Sequence, residues 1–210
     1  MKKIMFNDKY GLTQAVLEGR KTMTRRMVNA PEYWHGMWVW GFAFDEQSHS
    51  LRLYDADEGP MDDPDTGECA YVKPHYKIGE EVAVAQCYRE LYEKREIFFQ
   101  SKASLELYKS LAGWNNKMFV RADRNVMPHR ILITNIKVER LRDISSEDCL
   151  KEGIEARVTG CHTFYYIHGE DKAYNFPKQA FSSLIDKVSG KGTWQRNPWV
   201  FVYEFELLNS

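Results

Sequence analysis

Trp199, Phe201, Tyr203, Phe205 and Leu207 occupy every second position of one stretch, and all are apolar. A period of two puts these side chains on one face of a strand, so Trp199 to Leu207 must be β structure turned towards a core. Arg130 to Leu141 is a second β segment, with β-branched Ile131, Ile133, Ile136 and Val138. Asn135 predicts a bulge or turn within it. Lys3 to Phe6, Val82 to Val84 and Met118 to Ala122 read as shorter strands. Trp38 to Phe44 and Leu51 to Tyr54, joined by polar Asp45 to Ser50, predict a hairpin. Helical spacing is expected at Leu12 to Glu18, Glu90 to Leu111, Asp143 to Glu152 and Pro177 to Val188. Pro177 suits a first turn. Ser145 with Asp148 three residues on reads as a capping box, and Gly153 as its stop. Ala156 to Phe176 shows little periodicity, and Gly190 to Pro198 reads as loop. Strands near both ends with short helices between them fit one α+β domain over residues 1–210, built on a curved sheet or small barrel. Its first and last strands are expected near each other.

A chain of 210 residues can bury a core without disulfide help. Its net charge of −1 provides no whole-molecule field for nucleic acid, so any such binding must rest on a local patch. Cys69, Cys87, Cys149 and Cys161 are far apart and form no C-x-x-C, which suggests neither a zinc site nor a disulfide framework. No metal or cofactor is expected. Asp55 to Glu68, with Gly59, Pro60, Pro64 and Gly67, reads as an acidic surface loop whose order of acids does not match a calcium loop. The apolar run after Met1-Lys2-Lys3 is too short for a signal peptide, and no window approaches a membrane span. A cytoplasmic protein without membrane contact is expected.

Positive charge gathers in one place, Gly19-Arg20-Lys21-Thr22-Met23-Thr24-Arg25-Arg26, directly after the first helix. Gly19 fits the left-handed position beyond a helix end, which turns the chain sharply. Lys21 to Val28 is expected to be extended. In a regular strand Lys21 and Thr24 face opposite ways, so their convergence requires a bend or bulge.

This stretch resembles the ASCH domain family of the PUA-like superfamily. Three further segments agree in order. Gly79-Glu80-Glu81-Val82-Ala83-Val84 resembles the family's G-D-x-L-x-V strand. Val138 to Ile144, followed by Glu147-Asp148 and Glu152-Gly153-Ile154, resembles the strand-to-helix segment of its longer, often phage-encoded members. Asn197 to Phe205 resembles their closing strand. The resemblance implies a PUA-like fold, a small mixed β-barrel with peripheral helices. It also implies insertions at about 31–75, 88–116 and 156–191 relative to the small members. Ala85-Gln86 stands where the long members usually carry Arg-Glu, so a carboxylate is missing there.

Two functions follow from the resemblance. The first is binding of RNA, another nucleic acid, or a nucleotide or nucleoside in a cationic cleft. Arg20, Lys21, Thr24, Arg25, Arg26, Gln86 and His129 would contact the ligand, and Trp34, Trp38 and Trp40 are candidates for stacking on bases. The alternative is an amidohydrolase acting on an N4-acylated cytidine-like nucleoside. Small family members remove the acetyl group of N4-acetylcytidine with a lysine, a threonine and a glutamate. By position these are Lys21 as base, Thr24 as nucleophile and Glu152 as acid. Threonine needs an adjacent base, and lysine serves as one only when burial or neighbouring cations lower its pKa. The competing structural reading makes Lys21 a solvated charge, Thr24 a strand former and Glu152 a last-turn helix residue. A third reading places a protein-interaction surface on the insertions and the Phe98-Phe99 pair.

Overall fold

The computed structural model describes residues 1–57 and 59–208. In chain order the elements are β1 (Lys2–Ile4), α1 (Leu12–Leu17), β2 (Met23–Met27), β3 (Tyr33–Trp34), β4 (Met37–Trp38), β5 (Gly41–Asp45), β6 (Ser50–Tyr54), β7 (Tyr71–Val72) and β8 (Glu81–Val84). They continue with α2 (Tyr88–Glu93), α3 (Lys102–Ser110), β9 (Arg130–Arg140), α4 (Ser146–Lys151), β10 (Glu155–Thr159), β11 (His162–Tyr166), α5 (Pro177–Ser189), α6 (Thr193–Arg196) and β12 (Trp199–Leu208). The fold is α+β.

The main sheet has the order β1-β8-β9-β12-β2. Only β1 and β8 run parallel; the other neighbours are antiparallel. β12 is central. Its residues Val200 to Tyr203 are all buried, because the sheet is covered on both faces there. The expected alternation therefore describes one face, while Val200 and Val202 supply the other. The bulge in β9 falls at Thr134, which is skipped where Glu204 pairs with Asn135 and Phe205 with Ile133.

Among the described residues no sheet closes into a barrel: β1 and β2 remain the two edges of an open sheet. Side chains span the gap between them. Arg26 Nη2 on β2 donates to the Met5 carbonyl just beyond β1 at 2.7 Å, and its guanidinium lies 5.7 Å from the Phe6 ring centre. β1 and β12 are separated by two strands, yet the Phe6 and Phe205 rings lie 5.9 Å apart across the curve of the sheet.

Several segments differ from expectation. Glu90 to Leu111 is two helices, because Arg95 takes a left-handed conformation (φ 61°) and Ser101 caps a new start through Ser104 N–H. Met118 to Ala122 is not a strand; Asn116 accepts from Met118 N–H and holds a 3-10 turn over Lys117–Phe119. Residues 155–166 form the β10–β11 hairpin, closed by Gly160 in the left-handed region. The loop before β12 contains α6. Trp38 pairs with Tyr33 in the separate β3–β4 hairpin, while the expected hairpin is β5–β6. The acidic loop is more ordered than its composition suggests. Asp55 accepts from Asp57 and Gly59 N–H, Asp63 from Asp65 and Thr66 N–H, and Asp62 pairs in β fashion with Cys69.

Candidate functional site

Two helix ends of the same design bring the site together. At the end of α1, Gly19 (φ 71°) lets its own N–H reach Val16 O, while Arg20 N–H reaches Ala15 O. At the end of α4, Gly153 (φ 101°) lets its N–H reach Leu150 O, while Ile154 N–H reaches Cys149 O. Both are Schellman turns. The first delivers Lys21 and the second delivers Glu152. Gly153 also packs against the Lys21 stem: a Cβ there would lie 3.6 Å from Lys21 Cδ and 3.1 Å from Leu12 Cδ2. Lys21 precedes β2 rather than belonging to it, so the turn resolves the facing problem that a regular strand would pose.

Lys21 is buried, with 2% of its surface exposed, and Glu152 with 5%. Lys21 Nζ donates to Glu152 Oε2 at 2.6 Å, to the Glu152 carbonyl at 2.8 Å and to the Met23 carbonyl at 2.7 Å. These three partners use all three ammonium protons, so Thr24 receives none of them. Burial pushes the Lys21 pKa down, and the Glu152 carboxylate offsets only part of that.

Arg25 is buried beside this pair and binds three carboxylates. Its Nη1 donates to Glu152 Oε1 at 3.1 Å. Its Nη2 donates to Glu139 Oε1 at 2.7 Å and to Asp148 Oδ2 at 2.9 Å, and its Nε to Glu139 Oε1 at 3.0 Å. Register explains the reach to β9. Arg25 stands level with Val202 and Lys137, and Glu139 level with Val200, so the guanidinium crosses β12 over small valines. Burial lowers the Arg25 pKa, but Glu152, Glu139 and Asp148 together outweigh it and raise the value. For Asp148, burial raises the pKa while bonds from Arg25 and Lys137 outweigh it and hold the carboxyl below the usual range. Ser145 Oγ accepts from Asp148 N–H as the capping box requires, and the Asp148 carboxylate is turned to the cations.

Lys21, Thr24, Arg25, Arg26 and Glu152 line one cleft of about 610 Å³ at the gap between the β1 and β2 edges. The other expected residues lie elsewhere. Arg20 is exposed, pairs with Glu18 and borders a separate hollow with Arg157 and His168. Gln86 is buried against a small hollow beside α1 and α2. His129 shares a hydrogen bond with Glu96, 3.0 Å away. Trp34, Trp38 and Trp40 sit in or beside the β3–β4 hairpin and do not line the cleft. Arg25 does line it, but its donors are committed to carboxylates, which leaves Arg26 as the exposed arginine of the cleft.

Glu139 and Asp148 were not among the candidates from sequence. Their signal was faint: an acid at an inward position of β9 and an acid in a first helical turn facing a sheet. The wall of α5, with Phe181, Leu184, Ile185 and Val188, also went unassigned to the site.

Comparison of the chain with protein-family models, curated proteins and solved structures returns no match.

Proposed function

We propose that this protein is an amidohydrolase acting on an N-acylated, cytidine-like nucleoside, on a PUA-like fold of the ASCH type. The observation that carries this reading is the buried Lys21–Glu152 pair, 2.6 Å apart, on a cleft that also holds Thr24. The open, strongly curled sheet bridged by Arg26 is compatible with such a fold.

The pair stands one proton transfer from a working base and acid. Moving a proton from Lys21 Nζ to Glu152 Oε2 leaves a neutral amine beside a neutral carboxylic acid. The burial that lowers the lysine pKa favours the neutral amine. When the Met23 carbonyl gives up its bond to Nζ, the Thr24 hydroxyl takes that place. Thr24 Oγ attacks the acyl carbon as its proton passes to Lys21. The C–N bond breaks, and Glu152 protonates the departing amine. Water then attacks the acyl-threonine ester while Glu152 takes its proton. Lys21 returns a proton to Thr24 Oγ, and the carboxylic acid leaves. Arg25 positions Glu152 throughout.

Purified protein should convert N4-acylated cytidines to cytidine and the free acid. Lys21→Met, Thr24→Val and Glu152→Gln should each lower kcat/KM about 100-fold or more. Wild-type protein that leaves every N4-acylcytidine intact would defeat the reading.

One observation favours a second reading, binding of a nucleotide or RNA: Arg26 is exposed at the cleft, where it can meet a phosphate. That binding should weaken steeply with salt, and Arg26→Ala should reduce the slope by about one. Salt-independent binding would count against it.

A further inference from the structure

The wall of the cleft is less suited to a nucleoside than to hydrocarbon. Phe181, Leu184, Ile185 and Val188 lie at i, i+3, i+4 and i+7 on α5, a single helical stripe about 10 Å long. Three methionines from separate parts of the chain also line the cleft. Met5 follows β1, Met27 ends β2 and Met118 lies in a 3-10 turn. They are 38%, 47% and 58% exposed. Methionine is flexible and polarisable and adapts to apolar guests of varied shape. Exposed apolar groups collected around one hollow mark a binding surface.

We infer that the protein's preferred substrates carry an acyl group longer than acetyl, a medium-length aliphatic chain lying along α5. This rests on the amidohydrolase reading. Thr24 and the α5 stripe share one cavity, so a substituent of a scissile carbonyl at Thr24 can run along that wall. A ribose or a base placed there would bury donors and acceptors against carbon, which costs free energy for each unpaired group. An alkyl chain has nothing to satisfy. Asn7 and Arg26, polar groups of the same cleft, remain for the nucleoside. Phe181 and Leu184 are buried in the core, so a guest meets chiefly Ile185, Val188 and the three methionines, and an acetyl group would leave the exposed Val188 and methionine surface wet. Val188 is the most exposed member of the stripe, at 39%, and is assigned as a specificity-determining residue for the longer chain.

Two series test this. The first measures kcat/KM for N4-acetyl-, N4-butanoyl- and N4-hexanoylcytidine. Each buried methylene should raise it about fourfold, so hexanoyl should exceed acetyl by at least tenfold. Val188→Asp should lower the hexanoyl-to-acetyl ratio at least tenfold. Equal or acetyl-favouring rates, or an unchanged ratio in Val188→Asp, would overturn the inference. The second measures equilibrium binding of N4-hexylcytidine and N4-methylcytidine, which have no amide to cleave. The hexyl compound should bind at least tenfold more tightly. Chain-length preference in binding without any turnover would defeat the hydrolase reading and keep an apolar pocket. Turnover without chain-length preference would do the reverse. Neither turnover nor preference would remove both.

Discussion

Lys21 and Arg25 are two buried cations on one short stretch, and they share Glu152, but their surroundings differ. Arg25 has three carboxylates around a planar fork that holds several acceptors at once. Its charge is more than matched, and it is held in its cationic form. Lys21 has one carboxylate, two carbonyls and little water. Its charge is barely matched, so it is the member of the pair that can give up a proton. The contrast separates a cation clamped by three carboxylates from one destabilised by burial, four positions apart in the chain.

The largest effect should come from removing the clamp. Arg25→Met leaves Glu139, Asp148 and Glu152 facing one another without their shared cation, and should cost about 3–5 kcal/mol. Thermal unfolding should fall by roughly 10 °C for a chain of this size. A fall of only a degree or two would mean that Arg25 is dispensable to the fold and the contrast is misdrawn.

Lys21→Met should cost less, about 1–3 kcal/mol, because Glu152 keeps Arg25. Its informative consequence is in the pH dependence. Lysine titrates near 10.5 in the unfolded chain and lower in the fold. Between those values the unfolded chain holds the extra proton, so Lys21 makes stability rise with pH, with the gain complete above 10.5. Cys149 and Tyr76, both pushed up to about 12 by burial, act oppositely at alkaline pH, but they are common to wild type and variant. Denaturant unfolding from pH 8 to 10.5 should therefore give wild type the more positive slope. Equal slopes would show that Lys21 is not destabilised as a cation. The clamp responds at the other end of the scale. Asp148 contributes stability that is present above pH 3.8 and is lost as pH falls through its lowered folded value.

The smallest effect is expected from Glu139→Gln, about 1 kcal/mol, since Asp148 and Glu152 still hold the guanidinium. A loss as large as that of Arg25→Met would make Glu139 the true anchor and the other two acids accessory.

The sequence carried the parts of this arrangement that are local. Gly19 and Gly153 announced the two turns, Ser145 the cap of α4, and the alternation in β9 and β12 the heart of the sheet. β10 and β11 left no such trace. Glu155, Ala156, Arg157, Val158 and Thr159 bury no regular face, and period two needs a buried face to be visible. The Glu90 to Leu111 region kept helical spacing across its break, because a left-handed Arg95 is invisible to periodicity. The clamp was hidden for another reason. Glu139 joins Arg25 across 114 residues and over an intervening strand, and only β-register fixes that pairing. The expected barrel failed at a similar level: pattern identifies strands but does not say whether the outer two hydrogen-bond.

The parallel pairing of β1 with β8 has a consequence for biosynthesis. While the ribosome extends the chain, β1 waits nearly eighty residues for its neighbour. Lys21 waits 131 for Glu152, and β2 waits longer still for β12. Long-range pairings form slowly and late. The nascent polypeptide thus carries Lys21 solvated and fully protonated, without the carboxylate that later pairs with it. The cation loses its water only once β12 has paired with both β9 and β2.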